Sequence, residues 1–145
     1  MSKLRELAVE YAKAFIGLPY IWGGDDPIKG FDCSGFVLEV LQAVGIIAHG
    51  YDTTADGLYR RFSANLTQPG PGTLVFWLNS AGRAVHVEMM IDEDHVIGAS
   101  GGGRATVTAE EAARQNVFIK IRPLNYRGEN YVILDPFKGV DEDPS

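Results

Sequence analysis

The first part of the chain is patterned for helices. Leu4, Leu7, Ala8, Tyr11, Ala12 and Phe15 recur at helical spacing, which predicts an amphipathic helix over residues 3 to about 16. Gly17 and Leu18-Pro19 end it, because Gly suits a helix C-terminus and Pro cannot continue one. Gly23-Gly24 and Asp25-Asp26-Pro27 predict a loop. A second helix starts at Asp32, whose carboxylate can accept from unpaired amides of the first turn. Phe36, Val37, Val40, Leu41 and Val44 then make an uninterrupted apolar stripe, so this helix is predicted to be central and buried, closing at Gly45. Thr53 or Thr54 caps a shorter third helix through Leu58, Tyr59 and Phe62.

Beyond the turn cluster Gln68-Pro69-Gly70-Pro71-Gly72 the apolar period falls from helix to strand. Thr73 to Leu78, Ala84 to Ile91, His95 to Ala99, Val117 to Arg122 and Asn130 to Leu134 read as short strands, with one helical excursion over 108–115. Helices first and strands joined by short turns afterwards predict an α+β fold with N-terminal helices on a small antiparallel sheet. Residues 1–137 read as one domain and the acidic stretch 138–145 as a mobile tail.

Composition narrows the partners. The 145 residues carry a net charge of -6 and a pI of about 5.0, which argues against nucleic-acid binding. No apolar run is long enough to span a bilayer. The N-terminal stretch Met1-Ser2-Lys3-Leu4-Arg5-Glu6 lacks the apolar core of a secretory signal. There is one cysteine, so neither an intrachain disulfide nor a cysteine-rich zinc site is available. That residue is either a small buried hydrophobe or a reactive thiol.

Its position gives the second reading a mechanism. Cys33 follows the proposed cap Asp32, at the helix end where unpaired amides concentrate positive potential. That field favours a thiolate, and the same amides, near Asp32 and Ser34, could hold an oxyanion. A base is also required. Of the three histidines, His49 sits by Gly50 in a loop and His95 follows the Asp92-Glu93-Asp94 turn. His86 lies in a strand, where it shares one face with Glu88 and Met90. Val85, Val87, Met89 and Ile91 form the other face, expected to be the core face, with His86 turned away from it towards the central helix or towards solvent.

Leu18-Pro19-Tyr20-Ile21-Trp22-Gly23-Gly24 and Phe31-Asp32-Cys33-Ser34-Gly35-Phe36 resemble the signature of the NlpC/P60 cysteine peptidases. Gln68-Pro69-Gly70, Leu74-Val75-Phe76-Trp77, His86-Val87 and Val96-Ile97-Gly98-Ala99-Ser100 follow in the family's order, with His86 53 positions after Cys33. The similarity covers roughly residues 5 to 122. It implies a reduced papain-like fold and a cysteine peptidase or amidase acting on peptidoglycan stem peptides, such as the D-γ-glutamyl–diaminopimelate bond. By the same resemblance Cys33 is the nucleophile, His86 the base and Tyr20 a hydroxyl donor near the thiol, with no metal or organic cofactor. Without a signal of its own, the chain would be made in the cytoplasm and delivered to the wall by a phage tail or a holin.

One position departs from that pattern. The family usually places a polar residue, often His, twelve positions after the base, and here that residue is Gly98. A water or a backbone carbonyl could orient His86 instead, or Glu88, Ser100 or His95 could substitute, or the site could be weakened. Strand alternation puts Ser100 on the face of Gly98 and His95 on the opposite one. Two other functions stay open at this point: a cysteine amidase or acyltransferase with another substrate, and a non-catalytic binding or tail-assembly module that Gly98 would favour. Gly101-Gly102-Gly103 would allow a substrate backbone to approach closely, or form a flexible loop.

Overall fold

A computed structural model describes residues 2–26, 30–100 and 106–140 of the chain. The glycine run 101–103 and the last five residues of the acidic tail lie outside the described residues. Residues 138–140, expected to be mobile, continue a turn in which Val140 N–H donates to Phe137 O at 3.0 Å.

Helix α1 spans Lys3–Lys13 and is capped by Ser2, whose hydroxyl accepts from Arg5 N. It stops short of residue 16 because the Phe15 and Ile16 amides bond to carbonyls three residues back, a tightening that leads into Gly17. Its buried residues are Ala8, Val9 and Ala12, while Leu7, expected on the core face, is half exposed. The segment expected to be a loop contains a two-residue antiparallel ribbon, β1 (Asp25–Asp26) with β2 (Gly30–Phe31). A pairing so short leaves no periodic trace in a sequence.

Helix α2 runs Cys33–Ala43. Asp32 caps it as expected, accepting from Gly35 N–H at 2.7 Å. Phe36, Val37, Val40 and Leu41 are fully buried, so this helix is the axis of the core. Burying each such side chain contributes about 1.5–3 kcal/mol before entropy is counted. Helix α3 (Ala55–Arg61) is capped by Thr54 and helix α4 (Ala109–Gln115) by Thr108.

The strands β3 (Leu74–Leu78), β4 (Ala84–Met90), β5 (His95–Ala99), β6 (Ile119–Pro123) and β7 (Tyr131–Leu134) form one sheet of order β6-β5-β4-β3-β7. Every pairing is antiparallel. Strand β7 closes the sheet by returning to β3, with Val75 opposite Ile133. One face of the sheet packs on the helices through Leu74, Phe76, Val87, Met89, Ile97, Ala99 and Leu134.

The second face is buried as well, which the strand pattern did not predict. Val75, Trp77, Met90, Val96 and Ile133 cluster there under Leu124, Tyr126 and Tyr131. The β6–β7 connection thus folds back over the sheet and replaces solvent on its outer side. Val85, assigned to the core face by alternation, is instead exposed at the start of β4. A register shift between Trp77 and Leu78 breaks the alternation at that end of the strand pair.

Candidate active site

Cys33 is the first residue of α2 and packs, partly buried, on the helix-side core. Backbone N–H groups of Val87 and Ser34 point at its sulfur and favour the thiolate. Burial opposes them and wins, with the Asp32 and Glu88 carboxylates adding to the cost of a second negative charge. The thiol is therefore pushed up to about 11. Desolvation thus outweighs the amides of the helix end, and of the two resting states the sequence left open the raised pKa favours the thiol.

The close approach of α2 to the 23–24 loop depends on Gly35. A Cβ there would run into Gly24 O and lie 2.8 Å from the capping oxygen Asp32 Oδ1. Ser34 is buried, with its hydroxyl turned to Asp32 Oδ1 at 3.5 Å. Tyr20 is buried beside the thiol, anchored by its N–H donating to Val117 O. Burial and the neighbouring Cys33 and Asp32 charges raise its pKa, so the phenol stays protonated and remains a donor.

His86 is buried, which removes the reading of a solvent-facing strand histidine. Its ring packs 5.4 Å from the Trp77 ring. The thiol reaches the same stretch of β4 through the Val87 amide, one residue along from His86. Among the described residues no hydrogen bond joins the thiol and the imidazole directly.

His86 Nε2 lies 2.7 Å from Glu88 Oε2. Glu88 is fully buried and also accepts from the Tyr126 hydroxyl. A carboxylate partner requires the proton on Nε2, which leaves Nδ1 as the basic nitrogen. Burial pulls the His86 pKa down, against the opposing pull of Glu88, so the ring rests neutral at physiological pH.

The remaining candidates separate cleanly. Gly98 sits against the Glu88 side chain, and a Cβ on it would lie 2.8 Å from Glu88 Cδ. Ser100 is buried but its hydroxyl is 2.7 Å from Tyr126 Oη rather than on His86. His95 is exposed and its ring pairs with Asp92 at 3.0 Å, in the turn before β5. His49 is exposed. Sequence reasoning missed Tyr126 and Arg127, which reach this cluster from the β6–β7 connection. An aromatic in a polar, turn-rich run was the only trace of them.

No helix among the described residues is long and apolar enough to cross a membrane. Among the same residues no group of three or more His, Cys, Asp or Glu side chains converges as a metal site would.

The chain is 37% identical over 92 residues to the probable endopeptidase p60 of Listeria grayi, covering 63% of this chain and 17% of that protein. It therefore spans less than a fifth of that relative. A solved NlpC/P60 family protein from Bacillus cereus superposes with a TM-score of 0.71 at 25% identity, over 92% of this chain and 40% of the other. The NlpC/P60 domain of the peptidoglycan hydrolase SagA superposes with a TM-score of 0.63 at 26% identity, over 89% of this chain and 97% of that domain. These likenesses carry the papain-like α+β fold expected from the sequence. Residues 17–122, which include Tyr20, Cys33, His86 and Gly98, match the NlpC/P60 family, and the chain belongs to it.

Proposed function

We propose that this domain is a cysteine hydrolase that cleaves an amide bond in peptidoglycan stem peptides, with Cys33 as nucleophile and His86 as base. The observation that carries this reading is the Nε2–Glu88 contact of 2.7 Å, which leaves Nδ1 of a neutral, buried imidazole as the basic nitrogen on the strand that the Cys33 sulfur touches. The substrate class is suggested by SagA, named a peptidoglycan hydrolase, and by p60, named an endopeptidase.

With a resting thiol and a neutral ring, proton transfer accompanies attack. His86 Nδ1 takes the Cys33 proton as the S–C bond forms on the substrate carbonyl. The Cys33 backbone N–H at the start of α2 holds the oxyanion, and the protonated Tyr20 hydroxyl adds a donor. The imidazolium protonates the leaving amine as the C–N bond breaks. Water, deprotonated by the same nitrogen, then releases the acid and restores the thiol.

One observation favours a second reading, a domain that binds wall peptide without cutting it: the thiol is partly buried and, among the described residues, not hydrogen-bonded to His86. Turnover of purified muropeptides, read by mass spectrometry for the parent and for Cys33→Ala, separates the two. Cleavage by the parent alone supports the hydrolase, and the product masses identify the bond. Binding by both chains with cleavage by neither supports the second reading.

A further inference from the structure

A chain of hydrogen bonds runs outward from His86 Nε2. Glu88 Oε2 accepts hydrogen bonds from both His86 Nε2–H and the Tyr126 hydroxyl. The phenol has a single proton and donates it in the hydrogen bond to the carboxylate. The 2.7 Å contact with Ser100 must then run from the Ser100 hydroxyl to the Tyr126 oxygen. Arg127 Nη1 in turn donates to Ser100 Oγ at 3.3 Å. Every proton in the series points towards the carboxylate.

The support for this series is rigid. The Trp77 ring packs against both His86, at 5.4 Å, and Tyr126, at 5.9 Å. Its indole N–H donates to Gly128 O and pins the connection that carries Tyr126. The Arg122 guanidinium lies over the Tyr126 ring, 5.0 Å from its centroid. The second carboxylate oxygen, Glu88 Oε1, is buried without a hydrogen-bond partner among the described residues. The Glu88 head group is therefore fixed through Oε2 alone, and Tyr126 is the donor that opposes its rotation away from the ring. Tyr126 also lies beyond residue 122, where the family match ends.

We propose that Tyr126 is a positioning residue which, through Glu88, holds the His86 ring with its proton on Nε2, so that the site is completed from a segment outside the family-matched span. The inference rests on the reading of His86 as the base.

The test uses the whole chain with 15N-labelled histidine. In the parent, His86 is expected to show one tautomer with a slowly exchanging Nε2 proton. Tyr126→Phe keeps the ring in contact with Trp77 and Arg122 and removes only the hydroxyl. It is expected to speed exchange of that proton about ten-fold and to lower kcat by a similar factor with KM unchanged. Ser100→Ala, which leaves every ring in place, is expected to move exchange in the same direction by less. A wild-type tautomer and exchange rate in Tyr126→Phe overturns the inference. If that variant does not fold, unaltered exchange in Ser100→Ala overturns it alone. The ring proton is read without turnover, so a parent that cuts no muropeptide defeats the hydrolase reading and leaves this test intact.

Discussion

Glu88 and Gly98 occupy one volume between strands β4 and β5. The pairing of Met89 with Ile97 sets them opposite each other, and the Glu88 carboxylate lies over the bare Gly98 backbone. A side chain at 98 and the carboxylate of Glu88 exclude one another. The glycine that looked like a lost orienting residue is the space that a carboxylate from the adjacent strand needs. Gly98→Ala is therefore expected to destabilise the fold by about 1–3 kcal/mol through overpacking and to reduce hydrolysis by dislodging Glu88. Denaturant unfolding and muropeptide turnover measured together check it. A stable, fully active Gly98→Ala would show that Glu88 does not need this position.

The same relationship makes two substitutions non-additive. Glu88→Gly alone leaves the buried His86 Nε2 without its partner, at a cost of about 1–3 kcal/mol. Gly98→His alone meets the Glu88 side chain. Made together, they return an orienting ring to the vacated volume. The double variant is expected to recover part of the activity that each single variant loses, with a coupling energy of about 1 kcal/mol or more. Purely additive losses would count against the shared-volume account.

Asp32 joins the helix to the site, since its Oδ1 accepts from Gly35 N–H at 2.7 Å and faces Ser34. Asp32→Ala is expected to cost about 0.5–2 kcal/mol, the range for a lost helix cap. It also removes a carboxylate that raises the thiol pKa, so iodoacetamide should label Cys33 faster in this variant at a given pH. Slower labelling in a folded Asp32→Ala chain would contradict the assigned sign.

The elements that could be read from the sequence were those with a local cause. Asp32 as a cap, the Phe36–Val40–Val44 stripe and the antiparallel strands follow from capping chemistry and periodicity within a few residues. The position of Cys33 at a helix start was legible for the same reason. The face on which His86 lies was not, because alternation says which residues go together and not what covers them. The covering came from residues 124–131, where turn-rich polarity hid Leu124, Tyr126 and Tyr131. Glu88 could be named as a substitute for the missing residue at 98, but its exclusion of any side chain there depends on the β4–β5 register. That register joins residues through a turn whose geometry the sequence leaves open. The balance at the thiol was not legible for a related reason: the helix end is a local feature, and burial is a property of the whole fold.

Acid stability should report on His86. Its folded-state pKa lies below the ordinary value of about 6.5, with burial outweighing Glu88, and Arg122 and Arg127 also disfavour a charged ring. Below about pH 6.5 the unfolded chain takes up a proton that the folded chain refuses. The stability contributed by the neutral ring is thus present above that pH and is lost as pH falls, with a slope of up to about 1.4 kcal/mol per pH unit. His86→Gln should flatten this part of the curve relative to the parent when urea unfolding is followed from pH 7.5 to 5. Parallel curves would mean that His86 titrates equally in the two states.

Alkaline stability should report on Cys33 with the opposite slope. The folded thiol titrates at about 11, against about 8.5 for a free cysteine. Above pH 8.5 the unfolded chain loses a proton that the folded chain keeps, so unfolding is favoured as pH rises. The full contribution is present below pH 8.5 and disappears progressively up to about pH 11, amounting to about 3 kcal/mol. Tyrosines and lysines titrate in the same window, but they are common to the parent and to Cys33→Ala, so the difference between the two unfolding curves isolates the thiol. The parent should lose stability faster than Cys33→Ala between pH 8 and 10.5. The rate of alkylation, measured over the same range, should climb without levelling near pH 8.5. An early plateau, together with superimposable unfolding curves, would mean that the amides of Val87 and Ser34 prevail over burial. The site would then rest as a thiolate, and His86 would enter the reaction already protonated.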